Sequence, residues 1–150
     1  MNIPGIAART TAARFVAAIG PRDNISPTLI SLHWLPVRQR ITYKLCTMMH
    51  SVHYGQAPSY ISDIVTPVTH YFTRPCPPIC SAKNGDYNCP RVLSGFGRRS
   101  FSVSGPDAWN SLPRQLRGIA VDSTFKRHLK SELFFQAYGV STTASTVAEP

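Results

Sequence analysis

Hydrophobic residues recur at helical spacing in four segments of this 150-residue chain, and the clearest pattern follows Pro36. Apolar side chains there recur at steps of four and three positions until Gly55, which is the period of one helix face followed by a common helix stop. We expect this face to be buried in a core. Its members are Val37, Ile41, Leu45, Met48 and Val52.

The last predicted helix runs from Ser123, a favourable N-cap residue, to Tyr138, and Gly139 ends it. Its apolar face consists of Phe125, Leu129 and Leu133. Two weaker helices are predicted at about residues 5–19 and 58–64, each next to a proline suited to a first helical turn.

The chain between the third and fourth helices is rich in proline, which removes backbone donors, so residues 66–104 should be largely irregular. Within this region Arg99–Val103 alternates weakly and predicts a short strand that Gly105 and Pro106 would end. Residues 140–150 are small and polar and predict a disordered tail. The expected fold is mainly α and irregular, with three to four helices, a proline-rich loop region and at most a short strand pair, in one small domain over residues 1–139.

Composition narrows the class of protein. The chain has 16 Lys and Arg against 7 Asp and Glu, which gives a formal charge of +9. No apolar run approaches the roughly 18 residues of a membrane span, so we expect no membrane association. Four cysteines are too few for a disulfide scaffold, which indicates an intracellular protein of the nucleus or cytoplasm. The first 22 residues contain three arginines and no acid, a composition shared by mitochondrial transit peptides and by basic amphipathic helices.

Known catalytic patterns are absent from the sequence. The seven acids stand singly, so no pair has the spacing for two-metal or glycosidase chemistry. Neither the nucleophile elbow Gly-x-Ser-x-Gly nor the phosphate loop Gly-x4-Gly-Lys-Ser/Thr occurs. We therefore expect no catalytic residues, no cofactor and no small-molecule substrate.

Two groups of potential metal ligands occur. The first combines one imidazole and three thiols of the irregular region, enough for a tetrahedral zinc site, although the spacing matches no zinc finger we can name. These residues are His70, Cys76, Cys80 and Cys89. The second is His50 and His53, nearly one helical turn apart. Unpaired loop cysteines and polar residues at a helix edge are the simpler interpretations, and we expect no metal.

Basic and aromatic residues interleave in the second half of the chain, a combination that suits a phosphate backbone and unstacked bases. The cations are Arg91, Arg98, Arg99, Arg114 and Arg117, and the rings are Tyr87, Phe96, Phe101 and Trp109. This pattern predicts RNA or DNA as a partner. A surplus of charge that serves only solubility is the alternative.

Several strings of the sequence are far more specific than its composition. In chain order they are TAARFV (Thr11–Val16), DNISPTL (Asp23–Leu29), LHWLPV (Leu32–Val37), RITYKL (Arg40–Leu45), GQAPSYISD (Gly55–Asp63), GPDAWNSLP (Gly105–Pro113) and STFKRHLK (Ser123–Lys130). In this order they resemble the region downstream of the polymerase core in reverse transcriptases of LINE-type, jockey-like non-LTR retrotransposons. The resemblance covers about residues 11–135.

The resemblance implies a non-catalytic piece of such an enzyme. The family's palm carries a Tyr-x-Asp-Asp signature that binds Mg²⁺, and this sequence has no Asp-Asp pair and no endonuclease region. In the parent enzymes the region follows the thumb, and the resemblance implies that it helps to hold template RNA or a primed DNA target, alongside the rest of the reverse transcriptase. The cysteines of the irregular region depart from the family pattern, which weighs further against zinc.

Basic side chains next to these strings are the expected nucleic-acid contacts, and phosphate contact of this kind positions a strand without specifying sequence. They are Arg38, Arg40, Lys44, Arg91, Arg98, Arg99, Lys126, Arg127 and Lys130. Trp34 and Trp109 are expected in the core rather than stacked on bases. The alternative function is a remnant, or a small protein-interaction module, with no nucleic-acid role.

Overall fold

The computed structural model describes residues 11–68 and 85–139, and this part of the chain is mainly helical and irregular, as predicted. Its helices are α1 (residues 11–16), α2 (Ser26–Ser31), α3 (Val37–His53), α4 (Ser59–Ser62), α5 (Phe101–Asn110), α6 (Arg114–Arg117) and α7 (Asp122–Tyr138). A 3-10 turn at Gly97–Arg99 precedes α5. Within the described residues, strand-like pairing is limited to an isolated antiparallel bridge between Pro67 and Tyr87.

The two strongest helix predictions are confirmed by α3 and α7. Both helices are followed by the predicted glycine, and Gly55 and Gly139 each adopt a φ of +67°, the left-handed conformation typical of a helix stop. The predicted apolar face of α7 is also confirmed, because Phe125, Leu129 and Leu133 are all buried.

The predicted buried face of α3 is wrong. Ile41 is 55% exposed and Met48 is 37% exposed, whereas Cys46, Met49 and His50 are completely buried. The core therefore lies about one residue further around the helix than the aliphatic stripe indicates. The reason is that a thiol and an imidazole, both read as polar or neutral in sequence, find apolar and aromatic neighbours there.

The predicted strand at residues 99–103 is also wrong, because α5 begins at Phe101 and continues through Gly105 and Pro106. Gly105 is required by close packing rather than by a turn, since a Cβ at this position would lie 3.1 Å from Met49 Sδ and 2.9 Å from the Phe101 ring. Pro106 is buried within the same helix. The glycine and proline thus serve helix packing, although in sequence they look like a break.

The described chain divides into two compact units. One unit comprises the residues up to Arg40 and those from Lys130, and the other comprises Ile41–Leu129. In the first unit the His33 and Phe134 rings stack with centroids 5.8 Å apart. The Tyr138 hydroxyl donates a hydrogen bond of 2.9 Å to the Trp34 carbonyl.

The core of the Ile41–Leu129 unit is built around Trp109 and His50, both fully buried. The His50 ring stacks on Phe125 with centroids 4.1 Å apart, and its Nε2 lies 2.8 Å from the Ile119 carbonyl oxygen. A carbonyl only accepts, so Nε2 carries the proton of this imidazole. The prediction that His50 is a polar residue at a helix edge is wrong. Its Nε2 is satisfied inside the core, whereas its Nδ1 is buried without a hydrogen-bond partner and lies 3.9 Å from Asp122 Oδ1.

Trp109 and Asn110 hold the segment 85–88 against this core. The indole Nε1 donates to the Gly85 carbonyl at 3.1 Å. The Asn110 side chain accepts from the Tyr87 amide at 3.0 Å and donates to the Tyr87 carbonyl at 2.8 Å. The Asn110 side chain thereby satisfies both the backbone N–H and the backbone carbonyl of Tyr87, which lies outside any regular sheet.

Within the described residues, no helix has both the length and the apolar character needed to cross a lipid bilayer.

Candidate nucleic-acid interface

The nine predicted contact residues fall into three groups along the chain: one on α3, one in the loop before α5 and one on α7. The loop group is the most exposed as a whole, since Arg91, Arg98 and Arg99 are all exposed. We name Arg91–Arg99 the arginine loop. It leaves the segment held by Trp109 and Asn110 and ends where α5 begins, so both of its ends are fixed by the core.

Local hydrogen bonds shape the arginine loop. The Gly97 amide donates to Ser94 Oγ at 3.0 Å, and the Arg98 amide donates to the Ser94 carbonyl at 3.2 Å. Ser100 Oγ donates to the Gly97 carbonyl at 2.6 Å. Gly97 itself is enclosed, because a Cβ there would lie 2.9 Å from Ser94 Oγ and 3.3 Å from Val92 Cβ. These contacts favour one backbone conformation for the part of the loop that carries Arg98 and Arg99.

The electrostatic field at the loop is positive. From Tyr87 to Pro106 the sequence holds three arginines and no acid. The side chains of Arg91, Arg98 and Arg99 form no ion pair with any acid in the described part of the chain. Their charges are therefore available to a ligand, and an anion would meet them without first displacing an internal carboxylate.

The arginine loop also exposes large apolar groups. Leu93 and Phe96 have relative exposures of 104% and 88%, the two highest among the large hydrophobic residues that the structure describes. Phe96 stands between Gly95 and Gly97, and a Cβ on Gly95 would meet no atom within 4 Å beyond its two chain neighbours. Of the rings that the sequence places among the cations, Phe96 is exposed in this loop, whereas Tyr87 and Trp109 are buried.

The α7 group is less uniform than the sequence indicates. Lys130 is exposed. Lys126, in contrast, forms an ion pair with Asp122 one helical turn earlier, with Nζ 2.6 Å from Asp122 Oδ2. The hydrogen bond that Lys126 donates to Asp122 raises the pKa of Lys126, and the Asp122 charge adds to this effect. Lys126 thus shares its charge with a neighbour, and its i, i+4 spacing from Asp122 was a visible signal for this pairing. Arg127 is exposed on the same helix.

The α3 group places Arg38 and Lys44 at exposed positions and Arg40 at a half-buried one. Arg40 is close enough to Tyr138 for its charge to act on that phenol, although burial dominates and raises the pKa of Tyr138. Arg40 is therefore partly engaged within the fold, and Arg38 and Lys44 present more of their side chains to solvent.

The two tryptophans of the chain differ in their burial. Trp109 is completely buried, which confirms the expected core position and removes it from base stacking. Trp34 is 38% exposed, so its expected core position is wrong. Its backbone carbonyl, rather than its indole, makes the hydrogen bond to Tyr138.

Arg117 does not contribute to the basic surface, because it is 9% exposed and forms an ion pair with Asp86. The Tyr54 hydroxyl donates to its backbone carbonyl at 3.1 Å. Nothing in the local sequence distinguishes Arg117 from the exposed arginines, since its partner lies 31 positions earlier in the chain.

Of the weak metal candidates, His70, Cys76 and Cys80 lie outside the described residues. Cys89 is exposed, and its sulfur lies 3.7 Å from Asn110 Nδ2. Among residues 11–68 and 85–139, no cluster of three or more His, Cys, Asp or Glu side chains has a geometry that would hold a metal ion.

His53 gives the Ile41–Leu129 unit a pH-dependent stability. Burial lowers the pKa of His53 from its ordinary value of 6.5, and the charges of His50 and Arg117 lower it further. The unfolded chain therefore binds a proton at a higher pH than the folded one. We expect the free energy of unfolding to fall as pH drops below about 6.5, through the folded pKa, and to be retained above it.

Urea denaturation between pH 8 and pH 5 measures this effect. His53→Gln should reduce the decrease in the free energy of unfolding between pH 6.5 and pH 5. His128→Gln, at an exposed position of α7, should leave the pH profile unchanged. A parallel shift of the whole curve by His53→Gln, with the same slope against pH, would contradict the assignment.

Comparison with protein-family models, with curated proteins and with solved structures finds no match for this chain.

Proposed function

We propose that this chain is a non-catalytic segment of a LINE-type reverse transcriptase that contacts RNA or DNA through exposed basic side chains. The observation that carries the proposal is the arginine loop, where three exposed arginines occupy a stretch without an acid, in a backbone fixed at both ends. The proposal includes no catalytic step, no cofactor and no small-molecule substrate.

The strings that resemble the retrotransposon family support this proposal, because residues of two of them share one core. Gly105 of one string packs against Met49, which lies four positions after the string that ends at Leu45. Trp109 of the same string lies 6.0 Å, centroid to centroid, from Phe125 of the last string. Residues that carry the resemblance thus act as structural residues, and the arginine loop between them is left for contact with a partner.

Electrostatic binding of this kind has a measurable signature. Each phosphate contact releases about 0.7–0.9 counterion, so the logarithm of the binding constant falls linearly with the logarithm of salt concentration. Removing two contacts with Arg98→Gln and Arg99→Gln should reduce that slope by about 1.5 and raise Kd about tenfold near 0.15 M salt. Fluorescence anisotropy of labelled oligonucleotides across a salt series measures both quantities.

A matched control separates a site from a general charge effect. The double variant Arg22→Gln, Arg114→Gln removes the same charge from two exposed positions outside the predicted contacts. We expect its Kd to change by less than about twofold. Equal losses in the two double variants would show non-specific attraction, and binding that is absent or flat with salt would reject the proposal.

A second candidate is a small protein-interaction module. It is favoured by the outward face of α3, where Ile41 and Met48 leave apolar surface exposed on a well-formed helix. This candidate predicts no salt-dependent nucleic-acid binding, so the same anisotropy series distinguishes the two.

A further inference from the structure

The exposed aromatic ring of the arginine loop is not explained by folding. Phe96 is 88% exposed and Leu93 is fully exposed, although the loop around them is ordered by hydrogen bonds and by the packing of Gly97 on Val92. Leaving large apolar side chains in water forgoes the free energy of burying them. A loop with a fixed backbone that keeps such a ring outward is suited to a partner that covers it.

The neighbours of Phe96 indicate the chemistry of that partner. Glycines on both sides contribute no side chain, and 88% of the Phe96 surface is exposed. Arg98 and Arg99 follow two and three positions later, and both are exposed. A free aromatic face next to guanidinium groups is the combination that stacks on a base while the cations contact the flanking phosphates.

We propose that the arginine loop binds single-stranded nucleic acid, with Phe96 stacked on an unpaired base and Arg98 and Arg99 on the adjacent phosphates. The inference rests on the proposed function and adds the substrate class and the residue that selects it. Bases of a duplex already stack on each other and offer no free face, so this loop should prefer unpaired strands. Sequence preference should be weak, because every base has a π-face.

An anionic membrane surface is the other partner that apolar and basic residues attract. Membrane-binding segments bury a broad apolar face of a helix in the interface. The arginine loop offers only Leu93 and Phe96, on a non-helical backbone followed by a single 3-10 turn. Its small apolar area next to concentrated positive charge fits a stacked base better than an acyl layer.

The experiment compares a labelled 20-nucleotide oligo(U) and oligo(dT) with a duplex of the same length, using the full chain. We expect the wild-type protein to bind the single strands more tightly than the duplex. Phe96→Ala should raise Kd for the single strands about tenfold, change Kd for the duplex by less than twofold and leave the salt slope unchanged. Phe96→Trp should restore tight binding, because it restores a stacking face.

Phe15→Ala is the matched control, because Phe15 is 87% exposed and lies on α1, far from the loop in sequence. It should leave binding unchanged. A circular dichroism melt of Phe96→Ala should match that of the wild type, since the ring has little contact with the fold.

The outcomes separate this inference from the proposed function. If salt-dependent binding persists but Phe96→Ala has no effect, or if duplex binds as tightly as single strands, the stacking inference is overturned and phosphate binding stands. If no nucleic acid binds, both are rejected. If Phe96→Ala instead abolishes binding to phosphatidylserine vesicles while oligonucleotides do not bind, the loop is a membrane contact and the inference is wrong.

Discussion

Trp109→Ala should unfold the Ile41–Leu129 unit or leave it close to unfolding. Trp109 is completely buried, its ring lies 6.0 Å from Phe125 and 5.2 Å from His53, and its Nε1 donates to the Gly85 carbonyl. Truncating a buried Trp costs about 3–5 kcal/mol. Small domains have a total stability of about 5–15 kcal/mol, so this loss removes a large share of it.

Chemical denaturation followed by circular dichroism tests this expectation. Trp109→Phe keeps a six-membered aromatic ring but loses the indole donor and the volume of the pyrrole ring, so it should cost less than Trp109→Ala, about 1–3 kcal/mol. Trp34→Phe is the control: Trp34 is partly exposed, and its removal leaves Trp109 as the sole tryptophan, so fluorescence then reports the core alone. A Trp109→Ala protein within about 1 kcal/mol of wild type would show that the indole is not the centre of this core.

The effect should extend to the arginine loop. Trp109 and Asn110 hold residues 85–88, and the loop follows directly. Its far end joins α5, the helix that carries Trp109 itself. Loss of this anchor frees both ends, so more conformational entropy is lost when a strand is bound. Core and interface are therefore coupled through one short stretch of chain.

Periodic, local signals were sufficient to predict the long helices. The face of α7 repeats every four residues with aromatic and aliphatic side chains, and its burial followed directly. The helix ends at Gly55 and Gly139 depend on a left-handed conformation that glycine adopts without steric cost. A glycine after a periodic apolar segment is therefore a signal that can be recognised in the sequence. The pairing of Lys126 with Asp122 was also local and readable.

Long-range contacts account for the failures. The inward face of α3 is chosen by rings that lie more than 50 positions away, where Phe125 stacks on His50 and Trp109 lies beside it. Phe101–Val103 belong to the helix whose Gly105 packs against Met49, a contact between distant segments. Propensity indicated a strand and a break, and packing overrode it.

The candidate interface was predictable only where the exposure of a side chain depends on the local sequence. Exposure of Arg91, Arg98 and Arg99 follows from a local surplus of charge among glycines and serines, and the structure places all three outward. Arg117 looks identical in sequence but is buried by a partner on a different segment. Charge counting therefore overestimated the basic surface, because it included Arg117, whose charge is paired with Asp86 inside the fold.

Asp86→Ala should destabilise the Ile41–Leu129 unit by about 3 kcal/mol. Arg117 is 9% exposed and pairs with Asp86, which is 20% exposed. Removing the carboxylate leaves a guanidinium that has lost its ionic partner in a place where water reaches it poorly. The pair also ties α6 to the segment 85–88, which already depends on Trp109 and Asn110.

A double-mutant cycle with Asp86→Ala and Arg117→Met isolates this interaction. The double variant should lose less stability than the two single losses combined, with a coupling of about 2 kcal/mol, because neither buried charge is then left behind. Little of this coupling should be screened by 1 M salt, since the pair is largely buried. Lys126→Gln, which breaks the exposed pair with Asp122, is the contrasting variant and should produce a much smaller loss that salt removes. Additive single losses would mean that the Asp86 carboxylate does not stabilise Arg117, and the segment before the arginine loop would then rest on Trp109 and Asn110.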